Sequence, residues 1–305
     1  MRKTTSTKDN LPDQADLRIA LDDKHACSLW WSDVPAYQDH RIGTIGAYAA
    51  TDGESSKQLL NEAEESLRQN GCTMAIGPMD GNTWRNHRLV SDSSSVAPFF
   101  LEPQNPPEWP GFFEQSGWKP LSRYSSSRLA LGGEAADRSR LLARLESAGT
   151  TIRCLDPSDF NDELSRIYDV CVISFRDNFL YTELSRNEFV AMYARVEPFT
   201  VARFVEVAEC HGQPVGFVFA LPDATEAQRT GKAKTLIVKT LAVLPERRFG
   251  GLGTILVERV QEAATQAGFT HAIHALQYEA NTSKRITSRH GAERIREYTL
   301  YHKVL

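Results

Sequence analysis

The stretch Leu241-Ala-Val-Leu-Pro-Glu-Arg-Arg-Phe-Gly-Gly-Leu-Gly-Thr254 sets a proline, two arginines and three glycines between an apolar run, Thr235 to Val243, and a segment of helical spacing. That chemistry suits a diphosphate. Glycines let the backbone turn so that several N–H groups point inward, the helix N-terminus adds partial positive charge, and Arg248 adds a full charge. A P-loop would need a Gly-Lys-Ser/Thr ending, and a dinucleotide fingerprint would need a glycine where Leu256 stands.

The spacing Arg248-x-x-Gly251-x-Gly253, preceded by Thr240-Leu-Ala-Val-x-Pro245, resembles the acyl-CoA loop of the GNAT superfamily of acetyltransferases. The resemblance implies that Arg248, Phe249, Gly250, Gly251, Leu252, Gly253 and Thr254 hold the pyrophosphate of acetyl-CoA or another acyl-CoA. It also implies that the backbone of Leu241, Ala242 and Val243 pairs with pantetheine as an added strand would. A free N–H there would bond the thioester oxygen as charge develops, with Asn281 near the pantetheine arm. No metal is implied. Family members commonly place a glutamate on the strand before the loop and a tyrosine acid in the last helix. Thr235 to Val243 holds no carboxylate, only Lys239 with Thr235 and Thr240, and Lys239 is expected to face solvent or a counter-charge. Counted back from Gly291, the tyrosine position falls near Thr287 or Ser288. Thr287, Ser288, Tyr301 and Glu206 are therefore the catalytic candidates. Tyr278, Tyr298, Asp223 and Glu279 stand behind them, and the sequence does not separate them. Acceptors in the family often bind where Phe175 to Thr182 joins the first two helices of the C-terminal half, which singles out Asp177, Asn178 and Tyr181.

Elements that position these residues can be read from periodicity. Thr151 to Leu155 is a strand and Asp162 to Phe175 a helix. A second helix covers Ser185 to Arg195, and strands run over Phe199 to Glu209 and Val215 to Leu221. Pro222 to Lys234 reads as a polar loop. The strand Thr235 to Val243, a helix from Gly251 to Ala267, a strand His271 to Leu276, a short helix Asn281 to His290 and a strand Arg294 to Val304 complete the half. This is the order of the GNAT fold.

The N-terminal half runs strand, strand, helix (Glu54 to Asn70), strand, helix, strand. Its junction Ala50-Thr-Asp-Gly-Glu-Ser-Ser has one glycine and no arginine. The whole chain resembles tandem members of the superfamily. The expected fold is α/β with a mixed sheet: two GNAT-like repeats side by side, the first degenerate. Residues 1–14 form a tail, 15–135 the degenerate repeat, 136–149 a linker with a bridging helix, and 150–305 the repeat with the acyl-CoA loop. One further segment, Ile76-Gly-Pro-Met-Asp-Gly-Asn-Thr-Trp84 with Arg88 and Pro98 to Pro107, combines turn residues and aromatics suited to walling a pocket.

A chain of 305 residues with 41% hydrophobic content can bury a large core, and a net charge of −4 gives no bulk attraction to nucleic acid or membrane. Its cysteines, Cys27, Cys72, Cys154, Cys171 and Cys210, show no metal-ligand spacing. No apolar run approaches the ~20 residues of a membrane span, and the polar start lacks a signal-peptide core, so a cytoplasmic protein is expected. The leading function is acetyl transfer to a primary amine of a small molecule or protein, with a homodimer compatible. Two alternatives stay open: a non-catalytic acyl-CoA sensor, and transfer from a long-chain or acyl-carrier-protein thioester. The carrier reading draws on Arg229, Lys232, Lys234, Arg247 and Arg248.

Overall fold

The computed structural model describes residues 14–133, 137–279 and 291–305. In chain order the N-terminal half contains β1 (Leu17–Ala20), β2 (Ala26–Trp30), β3 (Ile42–Ala49), α1 (Gly53–Gln69), β4 (Met74–Gly77), β5 (Leu89–Ser93), α2 (Trp109–Gln115) and β6 (Lys119–Ala130). Helix α3 (Ser139–Ser147) follows. The C-terminal half contains β7 (Thr150–Cys154), α4 (Phe160–Phe175), α5 (Arg186–Ala194), β8 (Val205–Cys210), β9 (Gln213–Pro222), α6 (Ala224–Thr230), β10 (Thr235–Val243), α7 (Leu252–Gln266), β11 (His271–Tyr278) and β12 (Glu293–Val304).

The strands form one sheet in the order β1-β2-β3-β4-β12-β6-β11-β10-β9-β8-β7, with β5 also on β12. Among the described residues, only β3 with β4 and β10 with β11 pair in parallel. Each half therefore repeats one plan: antiparallel strands, then a parallel pair bridged by a helix. The halves then exchange their last strands. β6 lies against β11 and β12 lies against β4, while β6 and β12 pair with each other at the centre. Neither half completes its sheet alone.

Side-chain alternation explains the layering. Along β9, Val218 and Ala220 face α7 and its residues Leu252, Leu256 and Val260, whereas Phe217, Phe219 and Leu221 face α4 and α5 through Leu164, Ile167 and Phe189. In the first half Leu59, Leu60, Ala63 and Leu67 of α1 pack with Tyr48, Phe113 and Trp118. Each such fully buried side chain contributes about 1.5–3 kcal/mol relative to exposure.

Some expectations are corrected. The strand expected from Phe199 starts at Val205, because bonds such as Thr200 N–H to Glu197 C=O and Phe204 N–H to Val201 C=O fold the preceding residues into short turns. The expected polar loop contains α6, capped by Asp223, whose carboxylate accepts from the Glu226 N–H, and stopped by Gly231 at φ 84°. The short strands β1 and β5 were not foreseen. The expected helix Asn281 to His290 lies outside the described residues.

Candidate active site

The loop leads into a helix entrance that no carboxylate caps. Gly251 adopts φ 87° at the start of α7, and no side chain caps that terminus. A Cβ on Gly251 would meet the Leu141 side chain at 2.9 Å. The Leu252 and Gly253 amides are thus left for a ligand, with the helix dipole behind them, whereas the Thr254 N–H already bonds the Gly251 carbonyl at 3.0 Å. Arg144 of α3 grips the outer wall, donating to the Arg248 carbonyl at 3.0 Å and to the Gly250 carbonyl. The bridging helix braces the loop, a role the sequence reading missed. Phe249 and Leu252 are core residues, so only their backbones can face a ligand. Arg248 is half exposed and pairs with Glu246 at 2.8 Å.

Upstream, β10 and β11 pair from Thr235↔His271 to Val238↔His274 and then part. Both strands are irregular at the parting: β10 shifts register between Val238 and Thr240, and β11 between His274 and Gln277. Leu276 has φ 58° and gives its N–H to Ser126 Oγ at 3.0 Å. Ser126 bonds Tyr298 Oη at 3.0 Å, and Tyr298 donates to Glu102 Oε1 at 2.7 Å. Arg296 neutralises Glu102 at 3.0 Å. This chain of bonds ties the kink in β11 to the 99–102 segment. Leu241, Ala242 and Val243 consequently pair with β9 on one side only, among the described residues.

Lys239 stands at the parting. Its ammonium lies 3.4 Å from the Leu101 carbonyl and has no carboxylate at ion-pair distance among the described residues. Burial first, then the nearby charge of Arg88, pulls its pKa down to about 7. Lys239 is thus half-buried, and among the described residues it lacks the paired counter-charge that the sequence suggested as one alternative. The segment reaching across from the N-terminal half encloses it, which no local pattern announces.

That segment also brings His87 and Arg88. His87 is buried and its Nδ1 donates to the Arg85 carbonyl at 2.9 Å, so Nε2 carries the lone pair. Burial and the charges of Arg88 and Lys239 hold its pKa well below the usual imidazole value. The Arg88 guanidinium sits 4.0 Å above the Tyr124 ring, and burial lowers its pKa to about 10. His87 was not singled out from the sequence. The turn-rich run from Ile76 to Trp84, with Arg88 after it, was the available signal.

The remaining candidates fall in different places. Tyr181 reaches the same cleft, 6.2 Å from the Trp84 ring, whose Nε1 donates to the Thr182 carbonyl at 2.7 Å. Asp177 and Asn178 lie exposed on the same connection. Phe179 beside them stacks on Tyr278 at 5.4 Å. The structure does not bring Glu206 to this cleft. It alternates onto the α7 face of β8, buried, with both carboxylate oxygens on Arg259 Nε at 3.1 and 2.8 Å. Tyr301 belongs to the N-terminal core, opposite Gly77 of β4, and donates to Glu114 at 3.1 Å. His274 accepts from Gln261 at 2.8 Å, as a core histidine would. Arg229, Lys232 and Lys234 precede β10 while Arg247 and Arg248 follow it, so nine residues of strand part them by roughly 25 Å and they form no single patch. Thr287, Ser288 and Asn281 lie outside the described residues.

The model of the acetyltransferase (GNAT) family matches residues 165–286. A bacterial ceramide synthase of Caulobacter vibrioides is 26% identical over 198 residues, covering 64% of this chain and 51% of that protein. The match thus spans about half the length of that curated relative. A GCN5-related N-acetyltransferase from Sphaerobacter thermophilus shares the fold with a TM-score of 0.55 at 12% identity, over 95% of this chain and 81% of that one. A GCN5-related glucosamine N-acetyltransferase region of a fungal multi-domain GH3 beta-N-acetylglucosaminidase gives 0.54 at 14% identity, over 91% of this chain and 31% of that one. The segment that matches the acetyltransferase (GNAT) family runs from α4 past the loop and β11, so the likeness to that family lies in the C-terminal half, and the fold shared with the two solved structures spans both halves.

Proposed function

We propose that this protein is an acyl-CoA-dependent N-acyltransferase, passing an acetyl group to a primary amine in the cleft between the 78–105 segment and the α4–α5 connection. The observation that carries the reading is the uncapped start of α7 lying directly beyond the one-sided edge of β10. The loop amides and Arg248 would hold the pyrophosphate, and the open edge at Leu241 to Val243 would align the thioester.

In the transfer the amine nitrogen forms a bond to the carbonyl carbon, the carbon–sulfur bond breaks, the nitrogen loses a proton and the sulfur gains one. A group with a pKa near 7 is suited to both halves of that exchange. Lys239, in its neutral form, would take the proton from nitrogen and return it to sulfur. A second reading, a long acyl chain and a long-chain amine, draws on the relative named a ceramide synthase.

The test is calorimetric titration with CoA, acetyl-CoA and palmitoyl-CoA, followed by thiol release with a panel of amines. Micromolar binding of acetyl-CoA, weakened about tenfold or more in Arg248→Glu, is expected. Preference for palmitoyl-CoA would install the second reading. Absence of binding to all three would defeat both.

A further inference from the structure

The cleft contains a guanidinium with no counter-ion. Among the described residues no carboxylate lies within ion-pair distance of Arg88, and its buried Nε has no hydrogen-bond partner. The nearby carboxylates are already engaged. Glu102 pairs with Arg296 at 3.0 Å, Asp223 accepts from the Phe100 and Glu226 N–H groups, and Asp80 accepts from the Ala47 N–H.

Arg88 is nevertheless held rigidly. Its backbone takes φ 69°, a region that bulky side chains avoid, and its N–H is fixed on the Pro78 carbonyl at 2.8 Å. The guanidinium lies over Tyr124, which pairs with Tyr278 of β11, and Tyr278 stacks on Phe179 of the acceptor connection. It therefore lies where the two halves meet, between the Tyr124 ring at 4.0 Å and the Tyr298 ring at 6.0 Å, on the side of the acceptor connection. A cation over a ring gains about 0.5–2 kcal/mol, while an unneutralised buried charge costs several. A leucine there would serve packing better. What a planar guanidinium offers in exchange is a forked, two-bond grip on an oxyanion.

We infer that Arg88 anchors an acid group, carboxylate or phosphonate, carried by the amine acceptor, so that the acceptor is a small zwitterion rather than a simple alkylamine. This rests on the acyl-transfer reading for the amine, but not for the anion. Binding such a group would pair Arg88 and relieve its repulsion of Lys239, placing the amine of the same molecule toward the parting of β10 and β11.

The experiment has two arms on the full-length protein. In the first, thiol release from acetyl-CoA is measured with glycine, β-alanine and aminomethylphosphonate against methylamine and ethylamine. The acid-bearing amines should be favoured at least tenfold in kcat/KM. Arg88→Gln should remove that preference through KM, and Arg88→Lys should restore part of it. In the second arm, equilibrium binding of N-acetylglycine and N-methylacetamide is followed calorimetrically with no turnover. Binding of N-acetylglycine alone, lost in Arg88→Gln while acetyl-CoA binding is kept, supports the anchor even if no amine is acylated. Equal N-acetylglycine binding by the wild type and Arg88→Gln overturns it. A preference for succinyl-CoA over acetyl-CoA that depends on Arg88 also overturns it, by moving the acid group to the donor. Arg88→Lys, which keeps the charge, covers the case in which Arg88→Gln does not fold.

Discussion

Helices α1 and α7 leave equivalent parallel strand pairs, yet their first turns have opposite character. At α7 the entrance is a glycine in the left-handed region with no cap. At α1 the entrance is Asp52, whose carboxylate accepts from the Ser55 N–H at 2.8 Å, with Glu54 in the same turn. A carboxylate already sits where a phosphate would have to go. The strands above differ in the same sense. Beyond Val238 that edge of β10 has no strand partner among the described residues, with the Ser174 hydroxyl donating to the Val243 carbonyl at 3.0 Å, whereas β3, beyond its pairing with β4, is filled by its own chain. Met79 gives its N–H to the Ile45 carbonyl at 2.8 Å, and Asp80 accepts from the Ala47 N–H at 2.6 Å. A Cβ on Gly46 would collide with that carboxylate. The first half has the same strand–helix–strand plan, with local atoms occupying the helix start and the strand edge. That filling segment then runs on to deliver Trp84, His87 and Arg88 to the cleft of the second repeat.

The comparison breaks most readily at Gly251. Gly251→Asp gives α7 the residue type that caps α1, and its Cβ must also displace Leu141. Acyl-CoA affinity measured by calorimetry should fall at least a hundredfold. Retained affinity would show that the difference between the two entrances does not decide binding.

Lys239→Met comes next. Where β10 is irregular it carries Lys239, and where β3 is irregular it carries Ala47, at φ 42°. We expect kcat to fall at least tenfold and its pH dependence near 7 to disappear. Stability provides a second readout. Because the lysine's folded pKa is depressed to about 7 from an unfolded value of 10.5, the cost of burying its charge is full below about pH 7 and fades as pH rises toward 10.5. The wild type should therefore gain stability across that window, and Lys239→Met should lose the slope. An unchanged kcat profile would leave Lys239 a packing residue.

The converse substitution, Asp52→Ala, has a smaller effect. Uncapping α1 should lower Tm slightly. It should not create a second donor site, because Met79 and Asp80 still fill the strand edge. Titration with acetyl-CoA should keep a stoichiometry of one, and a value of two would sink the idea that the notch is closed in two places.

What the sequence made legible follows the range of the interactions. The loop, the helix start at Gly251 and the strand Thr235 to Val243 are encoded by neighbours within one turn or one pleat, and all appear where periodicity sets them. The contrast between the two helix entrances was legible in Ala50 to Ser56, which has one glycine and no arginine, although its physical form, a cap and a filled notch, was not. The exchange of β6 and β12 was out of reach, because each is an ordinary strand whose partner across the exchange lies more than 140 residues away. The same long range hid the state of Lys239. Burial by a segment that starts in the other half cannot be read from Thr-Leu-Ile-Val-Lys-Thr. Glu206 was misplaced for a simpler reason: its side chain points to the face of β8 opposite the cleft.

Glu206 therefore gives the smallest expected effect on activity. Its carboxylate is buried against Arg259, and burial still holds its pKa above the usual glutamate value despite that partner. Glu206→Gln should leave thiol release within about twofold of the wild type, since a neutral amide fits the same space. Arg259→Met keeps Glu206 but strips its counter-charge. That change should destabilise by roughly 2 kcal/mol, below the ~3–5 kcal/mol typical of breaking a buried pair because Arg259 is half exposed. The loss should shrink as pH falls and the orphaned carboxyl takes up a proton. If Glu206→Gln instead abolishes turnover while acetyl-CoA still binds, the chemistry lies on the α7 face, and the cleft that joins the two repeats is not where it happens.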